Sequence, residues 1–269
     1  MSNIKVAIAG LGAIGKAVAV ALHKGQLPGL TLAAVASRDQ EKARDWLASH
    51  GIGAPVVVLA ELPQHADLAV ECAPGAILAD ICKPMLNAGK RVMVLSAAAL
   101  LKHPELIEIA RAHSGQIIVP SGALLGLDAV TAAAEGSIQS VTMITRKPPN
   151  GLAGAPHLER NNISVAGLTA PKLVFKGNAR EAAIGFPANV NVAAALSLAG
   201  IGPDRTTIEI WADPGVTRNC HSIEVVSDAA TFKVSIENVP SENPKTGRIT
   251  AQSVLAALRK LNAPLRIGT

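Results

Sequence analysis

Tyrosine is missing from this sequence altogether, and the other aromatics are three phenylalanines and two tryptophans, 2% of 269 residues. A mechanism with a tyrosine proton donor is therefore excluded. The core has to be assembled from Ala, Val, Leu and Ile, which suits close packing of helix on sheet. Cysteine is scarce too. Cys72, Cys82 and Cys220 are odd in number and lack zinc spacing, which argues against a disulfide framework and for a reducing cytoplasm. No His-x-x-x-His or Cys-x-x-Cys spacing occurs, so no metal site is expected. Apolar runs stop well short of a bilayer span, and Ile4–Gly10 already reads as a core strand; neither a membrane segment nor a secretory leader is expected. The net charge is +5, but the basic residues are scattered and rarely interleaved with aromatics. No nucleic-acid partner is expected. A surplus this small reads first as ordinary surface chemistry, and second as suited to anionic ligands.

What is present is a large apolar fraction, 49%, with only 17% charged residues, enough to bury the cores of two domains. The first half alternates strand and helix. Strands are expected at Ile4–Ala9, Thr31–Ala36, Val56–Leu59, Asp67–Cys72, Arg91–Ser96 and Gln116–Pro120. Helices are expected from the glycine turn to about His23, over Gln40–Ser49, from about Gly75 to Ala88, and over Glu105–Ala112. Near-continuous apolar strands separated by helices predict a doubly wound parallel sheet of Rossmann type, with ligands at the carboxyl ends of its strands.

After about Ala134 the pattern changes. Ser137–Arg146 alternates, with Val141, Met143 and Thr145 opposite Ile138, Thr142 and Ile144. A Gly/Pro loop (Lys147–Pro156), a short strand near Leu173–Lys176 and a helix over Val190–Ala199 follow. Three more alternating strands come next (Thr206–Ala212, His221–Ser227, Thr231–Asn238), with a hairpin turn at Ser227–Ala230. This predicts a second, α+β domain with a mostly antiparallel sheet. The expected domains are 1–135 and 136–247, with a last helix in 248–269 returning to the first.

The densest motif is Gly10-Leu11-Gly12-Ala13-Ile14-Gly15, directly after a strand and opening a helix. Gly10 permits the tight turn, Gly12 admits a pyrophosphate to the backbone, and Gly15 lets helix pack on strand; the helix N-terminus then offers N–H groups to phosphate. At the end of the second strand Ser37 and Arg38 stand where an NAD-specific site usually has an acidic residue, which points to tolerance of NADP beside NAD. Asp39 reads as a helix N-cap. Ala73 and Pro74, Ser96, and Ser121-Gly122-Ala123 sit at later strand ends, where small side chains leave room for a nicotinamide ring or simply suit tight turns. Asn189 is either an N-cap or an amide facing the nicotinamide carboxamide.

Hydride chemistry needs a proton acceptor beside positioning, and histidine titrates near neutral pH. His23, His50, His65, His103 and His113 fall on helices or flanking loops of the first half, and His157 lies in the Gly/Pro loop. His221 opens a strand after Thr217-Arg218-Asn219 and is open to two readings, a catalytic one and a half-buried strand histidine beside Ile223 and Val225. A Cys220–His221 pair is disfavoured, because strand neighbours point to opposite faces. Arg146, Lys147, Arg160, Lys172 and Arg218 are cations that could meet substrate carboxylates. Spacing does not choose among them; Lys147 and Asn219 are carried as candidate substrate contacts.

With these residues in view the chain resembles the L-aspartate dehydrogenase family. The stretches that carry the resemblance are Pro120–Asp128 (PSGALLGLD), Thr145–Pro149 (TRKPP), Gly177–Ala183 (GNAREAA), Phe186–Ala193 (FPANVNVA), Asp213–Val225 (DPGVTRNCHSIEV) and Pro240–Gly247 (PSENPKTG). The resemblance implies an enzyme that converts L-aspartate, a small dicarboxylic amino acid, to iminoaspartate with NAD or NADP. It also implies a homodimer, an active-site role for His221, and cofactor contacts at Ala123 and Asn189. The alternatives are a related reductase of the dihydrodipicolinate reductase or homoserine dehydrogenase type and a dinucleotide-binding regulator without turnover.

Overall fold

A computed structural model of the chain describes residues 3–187, 190–240 and 247–268. The described chain divides into two units, 1–120 with 251–266 and 121–250 with 267–269.

In the first unit the elements run β1 (Ile4–Ala9), α1 (Ala13–His23), β2 (Leu30–Ala36), α2 (Gln40–Ser49), β3 (Val56–Val57) and α3 (Leu62–His65). They continue with β4 (Leu68–Glu71), α4 (Leu78–Asn87), β5 (Arg91–Val94), α5 (Ala97–Leu100), α6 (Glu105–Ala112) and β6 (Gln116–Ile118). The six strands form one parallel sheet in the order β3-β2-β1-β4-β5-β6. Order reverses between β1 and β4, which opens a crevice at the carboxyl ends of those two strands. Alternation along each strand feeds two cores. Ala7, Ala9, Ala34, Ala36 and Ala69 face one side with Ile81, Met85 and Leu106. Val6, Ile8, Val35 and Val70 face the other with Val18, Leu22 and Leu47. The strand expected over Val56–Leu59 is cut to two residues because Leu59 turns into a 3-10 segment, and the helix expected from Gly75 starts as 3-10 and becomes α only at Leu78.

The second unit holds α7 (Leu127–Ala134), β7 (Ile138–Lys147), α8 (Pro156–Arg160), β8 (Lys172–Asn178) and α9 (Ala179–Gly185). After these come α10 (Asn191–Ala199), β9 (Thr206–Ala212), β10 (Asn219–Ser227) and β11 (Thr231–Asn238). Its sheet runs β11-β10-β7-β9-β8, antiparallel except for the β7–β9 pair. Asn178 and Glu181 cap α9 reciprocally, each side chain taking the other's backbone N–H at 2.9 Å. Ile138 does not share a face with Thr142 and Ile144 as strict alternation predicted. A register shift at Val226/Ser227 pairs Ile138 with Ser227 and makes Gln139 the extra residue, so Ile138 is buried with Val141 and Met143. The same strand runs one residue further than expected and carries Lys147 at its end.

The last helix, α11 (Arg248–Asn262), sends Val254 and Leu258 into the core beside Val18 and Leu22. The division after Pro120 falls earlier than the boundary at 135 expected from the change of pattern, because the turn at 121–126 and α7 pack with the second sheet: Gly126 lies against Val234 and Ile223. Leu258→Ala should destabilise the protein by about 2–5 kcal/mol, since Leu258 is fully buried and leaves a cavity; urea unfolding of the two proteins measures it.

Candidate active site

The glycine turn is built from three different demands. Gly10 has φ +104°, and a Cβ on it would lie 2.6 Å from the Cys72 carbonyl oxygen. A Cβ on Gly15 would run into the Gly10 carbonyl oxygen. Packing alone therefore requires glycine at both positions. Gly12 is different: it is exposed, and the nearest atom to its Cβ position is the Cys72 oxygen at 4.0 Å. Nothing among the described residues asks for glycine there, and the open side leaves the backbone accessible. Gly12 is also the N-cap of α1 and offers no side-chain cap, and the helix has no acidic residue in its first turn. The backbone N–H groups of Ala13 and Ile14 thus start the helix beside Leu11 and Gly12 without a built-in anion, which is the geometry of a phosphate cradle.

Next to the turn stands a residue that the sequence reading passed over. Glu71, the last residue of β4, is fully buried. Its carboxylate accepts from the backbone N–H of Ala73 (3.1 Å), Leu95 (3.0 Å) and Ser96 (2.8 Å) and from Ser96 Oγ (3.1 Å). Burial raises its pKa, and the four donors oppose the rise. Glu71 thereby ties the turn carrying Ala73 and Pro74 to the turn carrying Ser96, across neighbouring strand ends. The signal in the sequence was a charged residue at a core position of an apolar strand. At the end of β2, Asp39 is spent as the N-cap of α2, accepting from the Lys42 N–H at 3.0 Å. Half-buried Ser37 and exposed Arg38 remain there.

In the second unit one face of the sheet is apolar for most of its length and turns polar at one edge. Met143, Ile208, Ile223 and Val234 share one row, and Thr145, Ile210, His221 and Ile236 the next. In the row beyond, Lys147 pairs with Ala212 and Asn219 with Asn238. Continuing the β7–β10 register sets Asn219 opposite Lys147. Lys147 (4% exposed), His221 (4%) and Asn238 (3%) are all buried. The hydroxyl of Thr145 lies 3.1 Å from Nδ1 of His221 and fixes the ring. Burial pushes Lys147 down to about 8. Burial and then the Lys147 charge push His221 down to about 3, so its ring is neutral at neutral pH and can accept a proton. Both shifts have the same sign for stability. The unfolded chain binds more protons than the folded one from about pH 3 to 6.5 and again from about 8 to 10.5, so stability rises with pH through both windows.

Ala123, expected among the strand ends of the first domain, belongs to the second unit, where its carbonyl accepts from Asn238 Nδ2 at 3.1 Å. Asn189 lies outside the described residues. Arg146 is engaged by Asp213 at 3.0 Å and lies over the Trp211 ring. Lys172 donates to the Ser164 carbonyl and Arg160 to that of Pro156. His157 packs its ring among Phe175 and Phe186, which makes it part of an aromatic cluster. Among the described residues no group of His, Cys, Asp and Glu is arranged to hold a metal ion, and no helix is long and apolar enough to cross a membrane.

Residues 10–120 match the family model described as homoserine dehydrogenase, NAD binding domain, and residues 128–261 the one described as aspartate dehydrogenase, C-terminal. L-aspartate dehydrogenase 3 of Bordetella bronchiseptica is 62% identical over 267 residues, 99% of this chain and 98% of that protein. The L-aspartate dehydrogenase of Bradyrhizobium diazoefficiens is 56% identical over 270 residues, 100% of this chain and 95% of its own. A crystal structure of aspartate dehydrogenase from Thermotoga maritima aligns with a TM-score of 0.77 over 98% of this chain and 99% of its own; at 23% identity it speaks for the fold.

The two glycines separate packing from binding. Gly15→Ala should lower the melting temperature or abolish folding, whereas Gly12→Val should melt like the parent and bind NADH at least about tenfold more weakly, as loss of one or two phosphate hydrogen bonds implies. Differential scanning fluorimetry and NADH fluorescence titration read the two effects.

Proposed function

This chain belongs to the aspartate dehydrogenase family, and from that premise we propose that it oxidises L-aspartate reversibly to iminoaspartate with NAD or NADP. The imine then hydrolyses to oxaloacetate and ammonia or feeds pyridine nucleotide biosynthesis. The observation that carries this reading is the polar corner of Lys147, Asn219, Thr145 and His221 on an otherwise apolar sheet face. A dinucleotide-binding regulator would have no use for a buried ammonium beside a buried neutral imidazole.

The nicotinamide ring of the bound cofactor supplies the hydride acceptor. Gly10, Leu11, Gly12, Ala13, Ile14 and Gly15 hold the pyrophosphate on the open side of Gly12 and the start of α1. Ser37 and Arg38 meet the adenosine ribose, where the Arg38 guanidinium can pair with a 2′-phosphate; both NAD and NADP serve. Ala73, Pro74 and Ser96 border the nicotinamide, with Ala123 and Asn189 as its further contacts. Lys147 and Asn219 hold substrate carboxylate. An ammonium must lose a proton before hydride can leave its carbon, because a cation resists becoming a more electron-poor iminium. His221 takes that proton on its ring, and returns it in reductive amination. Burial is the larger cause of the depressed His221 pKa and the Lys147 charge the smaller; carboxylate placed beside Lys147 offsets that smaller part, so the base strengthens in part when substrate arrives. The homodimer that the resemblance implies and a cytoplasmic location, supported by the three free cysteines, complete the proposal.

Purified protein should reduce NAD or NADP in the presence of L-aspartate, followed at the nicotinamide absorbance; no reduction with either dinucleotide would remove the reading. His221→Ala should lower kcat by about 10²–10⁴ with NADH affinity nearly unchanged, and near-normal turnover would reject the assignment. Because Lys147 loses its proton near pH 8, affinity for the unreactive dicarboxylate succinate should fall as pH rises through that value. The fall should vanish in Lys147→Met, whose binding is weak throughout; calorimetry at pH 6.5 and 9.5 distinguishes the two.

A further inference from the structure

The row of the second sheet that holds His221 runs Ile210, Thr145, His221, Ile236 across β9, β7, β10 and β11. Thr145 stands directly opposite His221 in that register and is the ring's one polar neighbour along the row. Both side chains are buried. A valine would fill the same space on β7, as Val141 does further down the strand, without a hydroxyl to desolvate. The contact that offsets the desolvation of this hydroxyl is with the ring, Oγ1 to Nδ1 at 3.1 Å.

A neutral imidazole carries a single N–H, and the partner of one nitrogen settles which of the two has it. With Nδ1 turned to Thr145, Nε2 is the nitrogen left for proton exchange. Nε2 can receive a proton only if the ring hydrogen stands on Nδ1. A hydroxyl oxygen is able to accept that Nδ1–H in the neutral ring and to keep it in the imidazolium, where both nitrogens carry hydrogen. The bond to the charged ring is the stronger one, so it favours the arrival of the second proton. We propose that Thr145 is a positioning residue: its Oγ1 accepts a hydrogen bond from Nδ1–H of His221, holds the tautomer with a bare Nε2, and steadies the imidazolium that forms when substrate gives up its proton. In that step an N–H bond of the substrate ammonium breaks, an Nε2–H bond forms, and Nδ1–H stays in place. This assignment rests on the reading of His221 as the base. The reverse bond, with the hydroxyl donating to a bare Nδ1, would put the ring hydrogen on Nε2 and close it to a proton.

The two tautomers differ in their nitrogen shifts. Long-range proton–nitrogen correlation of protein labelled at histidine, with NADH bound at neutral pH, should show Nδ1 protonated and Nε2 bare in the signal that disappears in His221→Ala. The opposite assignment overturns the proposal. Kinetics supply a second reading. Thr145→Val, nearly the same shape, should lower kcat with L-aspartate by about 10- to 100-fold, the range for a hydrogen bond to a charged group. NADH affinity and aspartate KM should stay within a few-fold of the parent. Thr145→Ser, which keeps the hydroxyl and drops the methyl group, should recover most of the lost rate. A kcat near the parent's in Thr145→Val overturns the proposal, and so does Thr145→Ser as slow as Thr145→Val, since packing of the methyl group would then carry the effect. Should Thr145→Val fail to fold, the tautomer and Thr145→Ser decide, and a Thr145→Ser slowed tenfold or more overturns it. Normal turnover in His221→Ala would defeat the reading of His221 as the base, and this assignment with it. An inactive His221→Ala beside a fully active Thr145→Val would defeat this assignment alone.

Discussion

A lysine ammonium and a histidine ring are held out of water side by side at the end of a sheet face, and that burial is the constraint on which the second unit is organised. Keeping Lys147 charged there costs on the order of 3 kcal/mol at neutral pH, the equivalent of its displacement from 10.5 to about 8. The apolar rows beneath it, Met143 with Ile208 and Ile223 and Val141 with Val225, bear that cost through their own burial. The result is a corner of low dielectric in which a carboxylate is worth far more to Lys147 than it would be in water. It also keeps His221 neutral, and therefore able to accept a proton, over the whole pH range in which a cell works.

The first unit solves the opposite problem with the opposite charge. Glu71 is as deeply buried as any apolar residue, yet every one of its donors comes from the turns that follow β4 and β5. A carboxylate accepting four hydrogen bonds is a rigid pin, since each lost bond would leave a buried group unsatisfied. The turns bearing Ala73, Pro74 and Ser96 are thus set by the fold. The glycine turn is fixed from the other side by close backbone approach at Gly10 and Gly15, which leaves Gly12 as the position kept open. Packing demands two glycines of one motif and leaves the third open.

Apolar runs in the first half and alternation in the second were good enough to find nearly every strand and the long helices, and the glycine motif placed the turn where the structure has it. It failed where two residues oppose one, at the shift that buries Ile138, and at short helices, α3, α5, α7, α8 and α9. It also stopped short on polar residues in core positions. Thr145 and Lys147 on β7, Asn219 on β10 and Asn238 on β11 all keep the parity of apolar residues before or after them, on three separate stretches of chain. Any one of them, taken singly, reads as an irregular strand end.

From its own order of residues the chain determined the parallel first sheet, the Gly10–Gly15 turn, the mostly antiparallel second sheet and, through six stretches of resemblance, the family. Those are local or periodic properties, and a linear string carries them. Only the tertiary structure decided that Lys147, His221 and Asn238, which lie on three strands, meet at one edge, that Glu71 pins two turns, and that Ala123 belongs with the second sheet. The physical reason is that burial and hydrogen-bond partnership depend on register between strands far apart in the chain. A shift of one residue in any pairing would have turned the same side chains to the other face.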